Sequence, residues 1–170
     1  MEIYYQKLLP QHTVQYRNIR LDSLKYFPSA FESSYEEESK NTPLGFEKYI
    51  TDKLPDRFAS GAFKNDQLIG ICSFYRNQKV KTFHRGNIIQ MFVLPANQGN
   101  NIGFNLLTST IKQAFSLPGL EQIELGVATT NTSAIKIYKK AGFSPFGTIP
   151  HCLKINETYI DEMLMVLYKQ

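Results

Sequence analysis

The chain has 170 residues, 42% hydrophobic and 20% charged, with a formal net charge of +4 at pH 7. That balance excludes a disordered chain, and the length fits one α/β domain over 1–170 with a full core. No apolar run nears the roughly 18 residues of a membrane span and no leader pattern precedes Ile3, so the expectation is a cytoplasmic protein without a membrane partner.

In chain order, Ile3–Leu9 alternates as a first strand, and Pro10–Thr13 breaks it. Val14–Tyr26 carries a helical apolar stripe that Pro28 ends. Residues 29–42 are polar and acidic, with Glu32, Glu36, Glu37 and Glu38. Pro43 then precedes a short helix whose apolar face is Leu44, Phe46, Tyr49, Ile50 and Leu54. Arg57–Lys64 and Gln67–Tyr75 read as strands joined at Asn65-Asp66, a tight-turn pair. Asn87–Val93 is apolar on both faces, as a central strand is.

The run Met91–Leu94 then reaches Pro95, turns through Gln98-Gly99-Asn100-Asn101, and opens at Ile102-Gly103 into a helix over Ile102–Phe115. Such a loop presents consecutive backbone N–H groups where the helix dipole also favours negative charge, an arrangement suited to a pyrophosphate. Gln122–Ala128 is the next strand and Thr132–Ala141 the next helix, with Asn131 as its cap and Gly142 as its stop. Phe143–Ile149 and Thr158–Tyr168 finish the chain as strands around a turn at Ile155–Glu157. The order is β-α-α-β-β-β-α-β-α-β-β. The first half is an antiparallel meander, and the unit at 88–128 demands a parallel crossover. A mixed sheet that changes character in its middle leaves a crevice for a long ligand.

The two cysteines, Cys72 and Cys152, have no metal spacing, and Cys72 reads as a small buried hydrophobe. His12, His84 and His151 are far apart, so no metal is expected. Arg76, Lys79, Lys81, His84 and Arg85 read as a solvated hairpin tip. Nothing matches a nucleic-acid motif, and no nucleic-acid partner is expected. A dinucleotide or P-loop domain is excluded by the lack of Gly-x-Gly-x-x-Gly after the first strand and of Gly-Lys-Ser/Thr.

Two motifs carry a resemblance to the GNAT superfamily of acyl-CoA-dependent N-acetyltransferases. The first is Gln98, Gly99, Asn100, Asn101, Ile102, Gly103 after Val93 and Pro95. It departs from the family at Asn101, where a second glycine is usual. Asparagine tolerates left-handed backbone, so the loop is expected to form. The second is Asn131, Ala134, Tyr138, Gly142 and Phe143, which matches without departure. The resemblance covers nearly the whole chain and implies a mixed sheet flanked by helices, with a C-terminal hairpin closing over the acceptor pocket.

The resemblance implies acetyl transfer from acetyl-CoA to a primary amine by direct attack on the thioester. Gln98–Gly103 holds the pyrophosphate, the backbone of Phe92 and Val93 pairs with pantetheine, and Asn131 bonds the arm as well as capping its helix. Tyr138 protonates the departing thiolate. The base is open. Glu124, on the strand after the donor helix, reads either as a carboxylate acting through water or as a solvent-facing strand residue. Glu32, Glu36, Asp161, His84 and His151 are further candidates, and a water relay needs none. Glu32 and Glu36 lie in a connection that borders the acceptor site in the family, where carboxylates favour a cationic small-molecule or peptide amine. A solvated charge run is the plainer reading of the same residues. The alternative function is a non-catalytic acyl-CoA-binding module. The apolar Met163–Leu167 suits either an internal strand or pairing with a second copy as a homodimer.

Overall fold

The computed structural model describes residues 2–170. A seven-stranded mixed sheet runs in the order β1-β2-β3-β4-β5-β7-β6. Its strands are β1 (Ile3–Lys7), β2 (Arg57–Lys64), β3 (Gln67–Arg76), β4 (Arg85–Val93), β5 (Gln122–Ala128), β6 (Ser144–Ile155) and β7 (Thr158–Tyr168). The helices are α1 (Thr13–Tyr26), α2 (Tyr35–Glu38), α3 (Gly45–Thr51), α4 (Ile102–Phe115) and α5 (Thr132–Lys140). The mixed sheet flanked by helices is the expected architecture, with α2 as an added turn inside the acidic segment. No helix is long and apolar enough to cross a membrane.

Two cores explain the layering. Tyr16, Ile19, Leu44, Phe46 and Ile50 from α1 to α3 pack with Phe63, Ile71 and Phe92 of the sheet. Leu106, Leu107 and Tyr138 from α4 and α5 pack with Ile69, Phe74, Ile123 and Met165. Successive strand residues point to opposite faces, so the central parts of β3 and β4 are apolar on both sides to serve both layers, with Ser73 and Gln90 as polar exceptions.

The β2–β3 turn forms as its sequence dictates, with Asn65 at φ 50 and Asp66 at φ 61. β6 extends past Ile149 to Ile155, beyond the expected end. Pro150 resembles a terminus, but the strand absorbs it in an irregularity between Ile149 and Leu153, where His151 takes φ 54 and its N–H bonds Asp161 at 2.8 Å. β7 lies between β5 and β6, so Met163–Leu167 is internal and both its edges are occupied.

Candidate active site

β4 and β5 run parallel but pair over only three residues, Arg85↔Gln122, Gly86↔Ile123 and Asn87↔Glu124. Beyond Asn87 the strands part. The cause is a bulge in β4: Ile71 opposes Phe92 and Ser73 opposes Ile89, so β4 takes three steps where β3 takes two. Gln90 occupies the extra position at φ 56, and its side-chain oxygen accepts from the Tyr16 and Ser73 hydroxyls, each at 2.8 Å. Past the bulge, the Leu94 N–H donates to Ile69. Alternation therefore turns Phe92 toward β3, and leaves Met91 and Val93 with their polar groups toward the gap. Gln98 Nε2 donates to the Val93 carbonyl at 3.1 Å.

At the end of β4 the chain enters three consecutive left-handed residues: Gly99 (φ 95), Asn100 (φ 47) and Asn101 (φ 58). Asn101, in the family's second-glycine position, adopts the conformation that asparagine bears better than most side-chain-bearing residues. The Asn105 N–H bonds the Asn101 carbonyl at 2.8 Å and the Ile102 N–H bonds Gly99 at 3.1 Å. Among the described residues, no backbone acceptor takes the N–H groups of Gly99, Asn100, Asn101, Gly103 or Phe104. Unpaired donors at a helix start form a nest for an anion. Lys140, from the end of α5, adds a cation: its Nζ stands 3.2 Å from Asn101 Oδ1 and 4.3 Å from the Phe104 ring centroid.

Where β4 and β5 part, a cavity of about 410 Å³ opens, lined by Asn131 and Tyr138 of α5, Gln90 and Met91 of β4, Glu124 of β5, Glu32, Arg20 and Glu162. Asn131 caps α5, its Oδ1 accepting the Ala134 N–H at 3.2 Å, and so sits about two turns before Tyr138 on the same face. Tyr138 is 7% exposed and its ring meets Phe143 edge-on, centroids 6.0 Å apart. No protein group among the described residues bonds its hydroxyl. Burial, with Cys72 behind it, pushes the phenol well above its ordinary range, so it stays protonated at neutral pH.

The carboxylates differ in their partners. Glu124 accepts Arg85 Nε and a second guanidinium nitrogen at 2.7 Å each, and Gln122 Nε2 at 2.7 Å. The Arg85 bond above all holds its carboxyl below the usual range, which makes it a weak proton acceptor. Glu32 is exposed and borders both the cavity and a neighbouring hollow of about 810 Å³, where Glu36 lies. The other two acids of that segment are structural: Glu37 closes a capping box with Ser34, and Glu38 pairs with buried Arg20 at 2.6 Å. The basic cluster is likewise no solvated tip throughout. Arg76 is 4% exposed beneath Phe83, and Arg85 belongs to Glu124.

The loop Gln98–Gly103 and Glu36 lie outside the cavity lining, whereas Tyr138, Asn131, Glu124 and Glu32 converge on it. A sequence model described as the acetyltransferase (GNAT) family matches residues 17–143. The chain belongs to the GNAT family. That family uses acetyl-CoA as acyl donor. This GNAT chain is 24% identical to spermidine N(1)-acetyltransferase of Escherichia coli K12, over 93% of its own length and 87% of the relative's. Its fold superposes on a GNAT acetyltransferase of Streptococcus pneumoniae with TM-score 0.85, at 21% identity, covering 98% and 99% of the two chains. It superposes on Salmonella typhimurium yncA, solved with its cofactor acetyl-CoA, with TM-score 0.83, at 16% identity and 99% and 94% coverage.

In this GNAT chain several site residues escape the sequence reading. Gln90 is the one polar residue in the run Ile88–Val93, and that interruption was the available signal. Glu162 stands beside Asp161 just before the apolar Met163–Leu167, so the sequence offers no comparable interruption there. Lys140 carries no such mark, because its approach to Asn101 joins residues 39 apart in the chain.

Proposed function

We propose that the protein transfers the acetyl group of acetyl-CoA to a primary amine by direct attack on the thioester. The unpaired N–H groups of Gly99–Asn101, Gly103 and Phe104 take the pyrophosphate, with Lys140 beside them. The open β4 edge at Met91 and Val93 pairs with the pantetheine arm, which Asn131 also faces. A Met91 N–H directed into the gap polarises the thioester carbonyl. Tyr138 then gives its phenolic proton to the leaving thiolate.

The observation that carries this reading is the Tyr138 hydroxyl: protonated, unpartnered, and on the cavity wall where β4 and β5 separate. That hydroxyl opens onto the cavity with no protein partner, which leaves its proton for a thiolate bound there. The acceptor is best read as a cationic amine. Glu32 on the cavity and Glu36 on the adjoining hollow supply negative charge along its route, while Arg20 is neutralised by Glu38. The likeness to a spermidine acetyltransferase points the same way. Glu124, tied to Arg85, holds the base of the gap closed and contributes charge rather than taking the proton.

The test is free-thiol release from acetyl-CoA across a panel of primary amines including spermidine. Turnover with cationic amines and not with neutral ones is the expected result. A preference for anionic or neutral acceptors would refute the assignment of Glu32 and Glu36.

A further inference from the structure

The proton shed by the acceptor amine needs a destination, and the cavity holds three glutamates. Glu124 is committed to Arg85 and Gln122. Glu32 is solvent-exposed. Glu162 differs from both. It stands on β7 opposite Ala128, and its carboxylate leans across β5 into the space above Gly126. A Cβ built on Gly126 would overlap that carboxylate, so any larger residue would push its flexible end aside. Glycine in a strand interior carries a conformational cost and marks close approach of another group. Here the approaching group is an acid on the wall of the acyl-transfer cavity, shared with Tyr138 and Asn131.

We propose that Glu162 is the general base of the transfer, an inference that rests on the acetyltransferase reading above. Its one protein partner is the Cys152 thiol, a weak donor at 3.4 Å, which leaves its remaining lone pairs for the acceptor nitrogen. One oxygen of Glu32, one of Glu162 and Cys152 Sγ lie within 4.8 Å of one another. Exposed Glu32 thereby connects the base to solvent. In the step, the neutral amine nitrogen forms its bond to the thioester carbon and its proton passes to Glu162. The carbon–sulfur bond breaks, and Tyr138 protonates the thiolate. Water returns a proton from Glu162 to the Tyr138 phenolate, which restores the enzyme.

The test compares wild type, Glu162→Gln, Gly126→Ala and Glu32→Gln in spermidine-dependent and panel-amine-dependent thiol release across pH. Glu162→Gln preserves shape and should lower kcat/KM for the amine about 100-fold, the lower end of general-base contributions. It should leave acetyl-CoA binding unchanged. Gly126→Ala keeps the carboxylate but displaces its flexible end, and should cost about tenfold in kcat, less than outright loss of the base. The titratable groups about Glu162 are Cys152 on β6 and Glu32 before α2, with Glu124, Tyr138 and Arg20 across the cavity. Glu32→Gln should raise KM for cationic amines more than it lowers kcat. Undiminished turnover in Glu162→Gln, or a kcat loss confined to Glu32→Gln, overturns the assignment alone. A wild type that binds acetyl-CoA yet acetylates no amine overturns the acetyltransferase reading and this assignment together.

Discussion

Tyr138 and Cys152 are both acids held in their protonated forms, for different reasons. Burial is the main cause at each, but Cys152 also donates to Glu162, and the charges of Glu162 and Glu32 add to the effect. For Tyr138, the proposed acid of the transfer, the consequence is a proton held ready at neutral pH. A phenol kept above its ordinary range near pH 10 loses no proton across the physiological window. Tyr138→Phe should lower kcat by roughly 100-fold or more with acetyl-CoA affinity unchanged, measured by thiol release and by calorimetric titration. For Cys152 the consequence is chemical silence, since the thiolate is the reactive form. Iodoacetamide should label it slowly at pH 8, and faster in Glu162→Gln, where the negative charge that helps to raise its thiol is gone. Cys72 is fully buried and pushed up to about 12, so it should not label in the folded protein. Equal labelling of Cys152 in both proteins would separate it from Glu162.

The loop from Gln98 to Gly103 and the cap at Asn131 were legible in the sequence because their determinants are local. Turn residues and a capping residue act within a few positions of where they stand. The reading of Asn101 as a tolerated left-handed residue matches its φ of 58. Asn101→Gly should therefore fold and keep the loop. Asn101→Val forces a β-branched residue into the same region and should cost about 1–2 kcal/mol, read as a lower melting temperature. Lys140→Ala should weaken acetyl-CoA several-fold, less so at high salt, because its contribution is electrostatic. The elements that the sequence hid are those made by distance. The bulge at Gln90 exists because Tyr16 and Ser73, 74 and 17 residues away, hold its side chain. The true end of β6 depends on Asp161 across the hairpin, where the local signal was Pro150. The carboxylate of Glu162 rests over Gly126 of a neighbouring strand, and nothing in the chain's periodicity links 126 to 162.

Across the whole molecule, the sheet works as two blades joined at a short seam. The three-residue pairing of β4 with β5 is the only parallel contact in the sheet among the described residues, and the Arg85–Glu124 ion pair spans it. Glu124 has a folded-state proton affinity below its unfolded one. Its contribution is therefore present above the ordinary carboxylate range and lost as pH falls through the depressed value. Arg85 is 37% exposed, so screening limits the pair to about 1 kcal/mol. Glu124→Gln should be less stable than wild type at pH 7. The difference should begin to narrow below the unfolded glutamate value of about 4.3 and close once pH falls below the depressed folded one. A difference that persisted in acid would assign the loss to packing instead.

The seam leaves the gap above it free for a ligand that reaches from the nest at Gly99–Gly103 to the cavity at Tyr138. The most direct measurement is thermal unfolding with and without acetyl-CoA, with NAD and ATP as controls. A ligand that binds only the folded state adds about 2.7 kcal/mol at 100 times its dissociation constant. A melting-temperature rise with acetyl-CoA, absent with NAD and ATP and reduced in Lys140→Ala, is the expected result. No rise at millimolar acetyl-CoA would contradict the donor site, and with it every catalytic role assigned around Tyr138.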